Sequence, residues 1–128
     1  MSAWMPTVED VLLLHQKLIE RTGGAAGVRD LGLVESALAR AYAAFGGVEA
    51  HPTIIDKAAA VGCGLMQNHG FVDGNKRIGV TALLLILRRN GVEIAYTQEE
   101  LVQVGLGVAQ GLQDVPQVVE WIKLHTKA

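Results

Sequence analysis

Cysteine is almost absent from this chain. The single Cys63 among 128 residues allows no intramolecular disulfide and no Cys-rich zinc pattern, which points to a reducing compartment. Charge is also scarce: 19% of residues are charged and the formal net charge is −2. The low charge excludes an intrinsically disordered chain, and the negative balance argues against a protein that grips nucleic acid through a broad basic face. Long apolar runs are missing as well. Ile78 to Leu87 is about ten residues, against the ~20 a spanning helix needs, and Arg88 and Arg89 follow it at once. The opening residues, Met1 to Pro6, lack the positive region and apolar run of a secretory signal. The expectation is a soluble cytoplasmic protein with no membrane association.

What the chain does have is apolar residues at helical spacing. Half of it, 50%, is hydrophobic, enough for the core of one domain over residues 1–128. A first helix opens at Thr7, with Glu9 and Asp10 suited to its positive end, and stops at Gly23-Gly24. A second follows Asp30 through Leu31, Val34, Leu38 and Tyr42 and is expected to stop at Gly46-Gly47. A third runs from about Pro52, placed in its first turn, to Asn68. Its Ala and Gly content predicts a central helix that neighbours approach closely. A polar turn from His69 to Asn75 precedes a fourth helix, which ends at Asn90-Gly91. Val92 to Tyr96 alternates like a short strand. Thr97 caps a fifth helix, which Gly105 and Gly107 should make the least stable, by roughly 1 kcal/mol each. Asp114 caps a last helix through Val118, Val119, Trp121 and Ile122. The reading is an all-α bundle of about six helices.

The segment His69-Gly-Phe-Val-Asp-Gly-Asn-Lys-Arg77 is unlike the rest. It brings a possible base, a carboxylate, a glycine, an amide and two cations to the start of a helix. Such a start presents unpaired N–H groups and the positive end of the dipole, together an anion site. Gly74 permits a tight turn, Lys76 adds a point charge, Arg77 a planar fork, and Asp73 suits Mg²⁺ beside a polyphosphate. His69 stands at the mouth of the turn, where positive potential favours the neutral imidazole that can accept a proton. Phe71 is expected to anchor the loop in the core. A bland reading exists for each residue alone: Asn75 could cap the fourth helix, Lys76 and Arg77 could be solvated, and Gly74 could serve only the turn. It does not account for all of them within nine residues. Nor does it explain cations in a first turn, where each opposes the dipole by roughly 0.3–1 kcal/mol.

These residues resemble the H-x-F-x-D-(A/G)-N-K-R motif of the Doc (death-on-curing) toxins, a branch of the Fic superfamily. Gly27-Val-Arg-Asp-Leu-Gly-Leu-Val-Glu-Ser-Ala-Leu-Ala-Arg40 is similar to the segment that precedes that motif. The resemblance implies a Fic/Doc-like fold, with His69 as catalytic base, Asp73 as the acidic position associated with Mg²⁺, and Phe71 as loop anchor. It further implies Gly74, Asn75, Lys76 and Arg77 as nucleotide- and phosphate-binding positions, with Arg77 also catalytic. The generic Fic pattern has Gly where this chain has Lys76, and a second Arg where it has Val80. In the Doc branch the nucleotide is implied to bind in reverse, so that the γ-phosphate of ATP moves to a threonine of elongation factor Tu and arrests translation. Fic-type transfer of AMP to a protein hydroxyl is the alternative. No Ser or Thr here begins the superfamily's inhibitory pattern (Ser or Thr, three residues, Glu, then Gly or Asn). Inhibition is therefore expected in trans, by a Phd-type antitoxin laid into an apolar groove.

The remaining candidates are weaker. His15, among apolar neighbours, and His125, near the end of the chain, read as structural, as do Arg88 and Arg89 at a helix C-terminus. Cys63 reads as buried rather than reactive. His51, in the loop Gly46 to His51, is a candidate contact for the target protein. Arg29, Asp30 and Glu35 are explained equally by a cap and a salt bridge. A non-catalytic partner-binding protein or a helical DNA-binding protein would need these cues to be idle.

Overall fold

A computed structural model describes residues 3–127. The described residues form six α-helices: α1 (Val8–Thr22), α2 (Leu31–Ala39), α3 (Ile54–Asn68), α4 (Asn75–Arg89), α5 (Gln98–Ala109) and α6 (Val115–His125). No described helix is long and apolar enough to cross a membrane.

The helix starts follow from local chemistry. At α1, α3 and α5 the hydroxyls of Thr7, Thr53 and Thr97 each accept the N–H three residues on. The carboxylates of Asp10, Asp56 and Glu100 in turn accept from the cap N–H groups. Asp114 and Gln117 close the same reciprocal box on α6, and Asp30 accepts from Leu33 N on α2 at 3.3 Å. Pro52 was expected inside the first turn of α3. It lies one residue before the cap instead, because the box needs a cap N–H and proline has none.

The second helix is shorter than its apolar spacing suggested. It ends at Ala39, passes through a 3₁₀ turn at Arg40–Tyr42, and gives way to an antiparallel hairpin, β1 (Ala44–Phe45) with β2 (Val48–Glu49). Gly46 and Gly47, expected to terminate a helix, form the hairpin's turn at φ 58° and 81°, the positive values a two-residue hairpin loop requires. Lys57 holds the hairpin against α3. Its Nζ donates to Ala41 O (2.9 Å), His51 O (2.7 Å) and Glu49 Oε1 (3.0 Å). Val92 to Tyr96 makes no full strand: only Ile94 bridges, to Thr126 just beyond α6.

Helix α3 is the centre, buried without a break from Ala58 to Met66 and packed against α2, α4, α5 and α6. Its small residues set the spacing. A Cβ on Gly64 would lie 3.0 Å from Ala37 Cα of α2, and one on Gly79 of α4 would lie 2.7 Å from Gly62 O. Gly62 also faces Leu83 while Gly79 faces Met66, so α3 and α4 run antiparallel. Overpacking such a crossing typically costs 1–3 kcal/mol. Cys63 is fully buried, and burial pushes its thiol up to about 12, so it is inert. Asn90, besides ending α4, exchanges two hydrogen bonds with the backbone of Trp4 (2.9 Å each), over whose ring Arg89 lies at 4.6 Å.

Candidate active site

The tight α3–α4 crossing leaves residues 69–74 to reverse the chain, and this reversal holds the motif. His69 ends α3 at φ 53°, ψ 46°, the one non-glycine residue at positive φ among those described. Such a conformation costs of order 1–3 kcal/mol and must be held by its surroundings. The residues before α2 do so. Arg29 donates from Nε to His69 O at 2.7 Å, and the N–H groups of Arg29 and Asp30 both reach Gly70 O (2.8 and 2.9 Å). Val72 N donates to Gly27 O at 3.1 Å, and Val28 bridges Phe71. Gly70 has no room for a side chain: a Cβ there would lie 2.6 Å from Val34 Cγ2. The Gly27–Arg40 segment thus acts as a brace for the loop, and Arg29 and Asp30 have defined parts in it.

Phe71 is buried in the core, 1% exposed. The imidazole of His15 stacks on its ring at 3.8 Å between centroids. The Asn75 side chain ties the loop together: Oδ1 accepts from Phe71 N and Nδ2 donates to Phe71 O, both at 3.1 Å. Its second Nδ2–H and its backbone N–H remain for a ligand.

Helix α4 begins at Gly74, φ 77°, with no side-chain cap. The N–H groups of Asn75, Lys76 and Arg77 lie in its first turn, where no intrahelical partner exists. Asp73 flanks them. Its Oδ1 accepts from Gly74 N (2.8 Å) and its Oδ2 from Ala25 N (3.2 Å), while Arg77 approaches at 3.7 Å. The Ala25 N–H above all, then that of Gly74 and the charge of Arg77, hold the Asp73 carboxyl below the usual carboxylate range. Arg77 also donates to the Thr22 hydroxyl and to Gly23 O (2.9 Å) at the end of α1. Gly24 makes this approach possible, since a Cβ there would lie 2.6 Å from Asp73 Oδ2. Lys76 is exposed and makes no ion pair among the described residues.

His69, Asp73, Gly74, Asn75, Lys76 and Arg77 all line one open cavity of about 420 Å³, to which Ala109 of α5 also contributes. Lys76 and Arg77 also edge a second, more apolar groove of about 420 Å³ between α1, α4 and α5, walled by Leu18, Val80, Leu101, Val102 and Leu106. Among the described residues no cluster of three or more His, Cys, Asp or Glu side chains could hold a metal ion. Asp73 is the lone carboxylate lining the cavity. Its two oxygens offer about four lone-pair sites, of which the two backbone N–H groups use two. That donor set fits Mg²⁺, which keeps waters and draws further ligands from phosphates. His51 lies outside the cavity lining, and its carbonyl accepts from Lys57.

Sequence reasoning missed three parts of this arrangement: His15 beneath the loop, the Ala25 N–H on Asp73, and the end of α1 as the receiver of Arg77. No local pattern marks them, although the flagged Gly27–Arg40 segment points to the right neighbourhood.

Residues 6–87 match the sequence profile of the Fic/DOC family. A protein named Toxin Doc from Mycolicibacterium smegmatis is 48% identical over 73 residues, covering 57% of this chain and 56% of that protein. The chain thus spans only a little over half the length of that relative. A protein named Protein kinase doc from Escherichia phage P1 is 31% identical over 115 residues, covering 90% of each. The profile covers the brace, the loop and the start of α4 together, and on these grounds the chain belongs to the Doc family of the Fic superfamily.

Proposed function

We propose that residues 1–128 act as one Fic/Doc-like domain, the cytoplasmic toxin of a toxin–antitoxin module, which transfers the γ-phosphate of ATP to a Ser or Thr hydroxyl of a translation factor. Elongation factor Tu is the expected target, and the consequence is arrest of translation. The observation that carries the reading is the start of α4: it is uncapped, carries Lys76 and Arg77 in its first turn, and shares one cavity with His69.

In the proposed reaction the target oxygen attacks the γ-phosphorus in line. A new O–P bond forms, the bond to the bridging β–γ oxygen breaks, and ADP leaves. His69, exposed at the cavity, takes the hydroxyl proton. The first-turn N–H groups of α4, Lys76 and Arg77 bind the phosphates and stabilise charge that spreads over their oxygens. Asp73, kept ionised by its backbone donors, would hold Mg²⁺, which supplies charge neutralisation to the phosphates when bound. Phe71 and Asn75 keep the loop in the geometry that aims these groups. The hairpin and His51 form the side from which the target approaches. A Phd-type antitoxin would inhibit in trans by laying an apolar helix into the groove between α1, α4 and α5, whose edge is Lys76 and Arg77.

Transfer of AMP is the second reading, and Val80 disfavours it. One turn along α4 from Arg77, this position lines the groove with an aliphatic side chain and offers no second guanidinium. Label transfer with ATP marked at the α or the γ phosphate separates the two readings. A γ label on one lysate protein, absent with His69→Ala, supports the kinase reading and names the target. An α label replaces it with AMP transfer.

A further inference from the structure

We infer that His15 is a positioning residue, which locks the Asp73–Gly74 peptide so that the Gly74 N–H, and not a carbonyl oxygen, faces the anion cavity. The inference deepens the proposed reading, since it concerns how the phosphate site is shaped.

His15 is the one polar side chain buried in the core among the described residues, at 3% exposure. It belongs to the apolar face of α1, with Val11 and Ile19 buried beside it. An aliphatic residue there would avoid the desolvation that imidazole incurs. Its ring stack and its hydrogen bond both fall on the motif loop, far along the chain. The ring stacks on Phe71 at 3.8 Å and an interplanar angle of 15°, and Nε2 lies 2.8 Å from Asp73 O. A carbonyl can only accept, so Nε2 carries the proton and donates it.

That one bond has a directional consequence. The peptide unit is planar and trans, so its C=O and N–H point to opposite sides. With Asp73 O drawn inward onto His15, the Gly74 N–H is turned outward, where Asp73 Oδ1 receives it at 2.8 Å. Gly74 is the residue that would otherwise let this peptide flip. At φ 77° it occupies a region open to glycine, and without a Cβ it can cross to negative φ just as readily. A flipped peptide would put a carbonyl dipole at the start of α4, beside any bound phosphate, and remove the N–H that helps keep Asp73 ionised. On the N–H side Asp73 Oδ1 already holds this peptide through Gly74 N, but that bond leaves the carbonyl side to another group. Asn75 holds the peptide groups of Phe71, and Gly27 receives Val72 N, so neither constrains Asp73 O. His15 supplies that missing constraint, and its stack on Phe71 fixes the imidazole that applies it.

The test compares wild type with His15→Leu, which removes donor and ring, His15→Phe, which keeps a ring without a donor, and His15→Gln, whose amide N–H can reach the same carbonyl. Each is labelled with ¹⁵N, checked for cooperative thermal unfolding, and titrated with ATP and Mg²⁺. The amide shift and hydrogen exchange of Gly74 are the primary readout. In folded His15→Leu or His15→Phe the Gly74 amide should shift and exchange roughly tenfold faster, and ATP affinity should fall by up to about tenfold, the loss of one hydrogen bond. His15→Gln should restore both to within about threefold. An unmoved Gly74 amide in a folded donorless variant would overturn the inference, and so would a Gln variant no better than Leu. The amide readout needs no substrate. A wild type that transferred no label would therefore count against the proposed function while the Gly74 result still decided the role of His15.

Discussion

The first turns of α3 and α4 belong to antiparallel partners in the same core, yet they are built in opposite ways. At α3, Thr53 and Asp56 satisfy each other's backbone N–H groups and place a carboxylate at the positive end of the dipole. At α4, Gly74 offers no side chain, the first-turn amides are left without a cap, and Lys76 and Arg77 add positive charge where the dipole is already positive. One start is closed by its own side chains and the other is left open, as the proposed phosphate site requires. Stabilisation given up at a helix end in this manner marks a site, because the missing interactions are the ones an anion would supply.

The largest effect should come from the open end. His69→Ala should lower label transfer by roughly 10²–10⁴-fold, the usual worth of a general base. Its side chain is exposed, so the thermal unfolding midpoint should stay where it is. A transfer rate left intact would remove His69 from the chemistry.

Reversing the charge pattern tests the contrast directly. Lys76→Glu gives α4 the acidic first turn that α3 has. Unfolding should become harder by roughly 0.3–1 kcal/mol, while ATP affinity falls by at least about tenfold, because an anion now meets like charge. Opposite signs in the two measurements would establish that α4 gives up stability for binding. Parallel changes would refute the contrast.

Thr53→Ala opens the closed end. It should cost about 0.5–2 kcal/mol in urea unfolding and leave transfer per folded molecule unchanged. Reduced transfer at full occupancy of the folded state would mean that the start of α3 also shapes the site.

The smallest effect belongs to α5, where Glu100 serves both as capping carboxylate and as partner of His125, 2.6 Å away. The hydrogen bond that His125 donates to Glu100 raises the pKa of His125, and that same bond lowers the pKa of Glu100. A raised folded pKa means that the stabilisation from His125 is complete below its ordinary value of 6.5 and disappears as pH climbs through the folded value. The part from Glu100 is lost at the acid end, as pH drops below 4.5 through its lowered value. Wild type should therefore lose more thermal stability than His125→Asn on going from about pH 6 to about pH 8. Identical slopes would show the pair to be inert.

Much of this was legible in the chain, for reasons of range. Helix caps at Thr7, Thr97 and Asp114 are decided by residues three apart, so the local pattern is the interaction itself. The Ala/Gly content of α3 signals a crowded central helix because side-chain volume alone limits how near another backbone can come. The cluster from His69 to Arg77 is likewise contiguous, and its charge pattern conflicts with the helix dipole in a way that can be read directly.

Where the outcome depended on distant partners, tertiary structure decided. The apolar spacing of Leu31 to Tyr42 fits a longer helix, but the glycines that should have ended it turn a hairpin instead, held down by Lys57 from another helix. Asn75 has the right chemistry for a phosphate, and only the fold shows that one Nδ2–H and one Oδ1 lone pair also tie it to Phe71. His15 reads as one more core histidine, and only a contact across 58 residues gives it a task. The sequence by itself determined which groups are present and which helix start is left open. The fold determined where those groups point, because a peptide's orientation is set by the partner its carbonyl meets, and here that partner is on another helix.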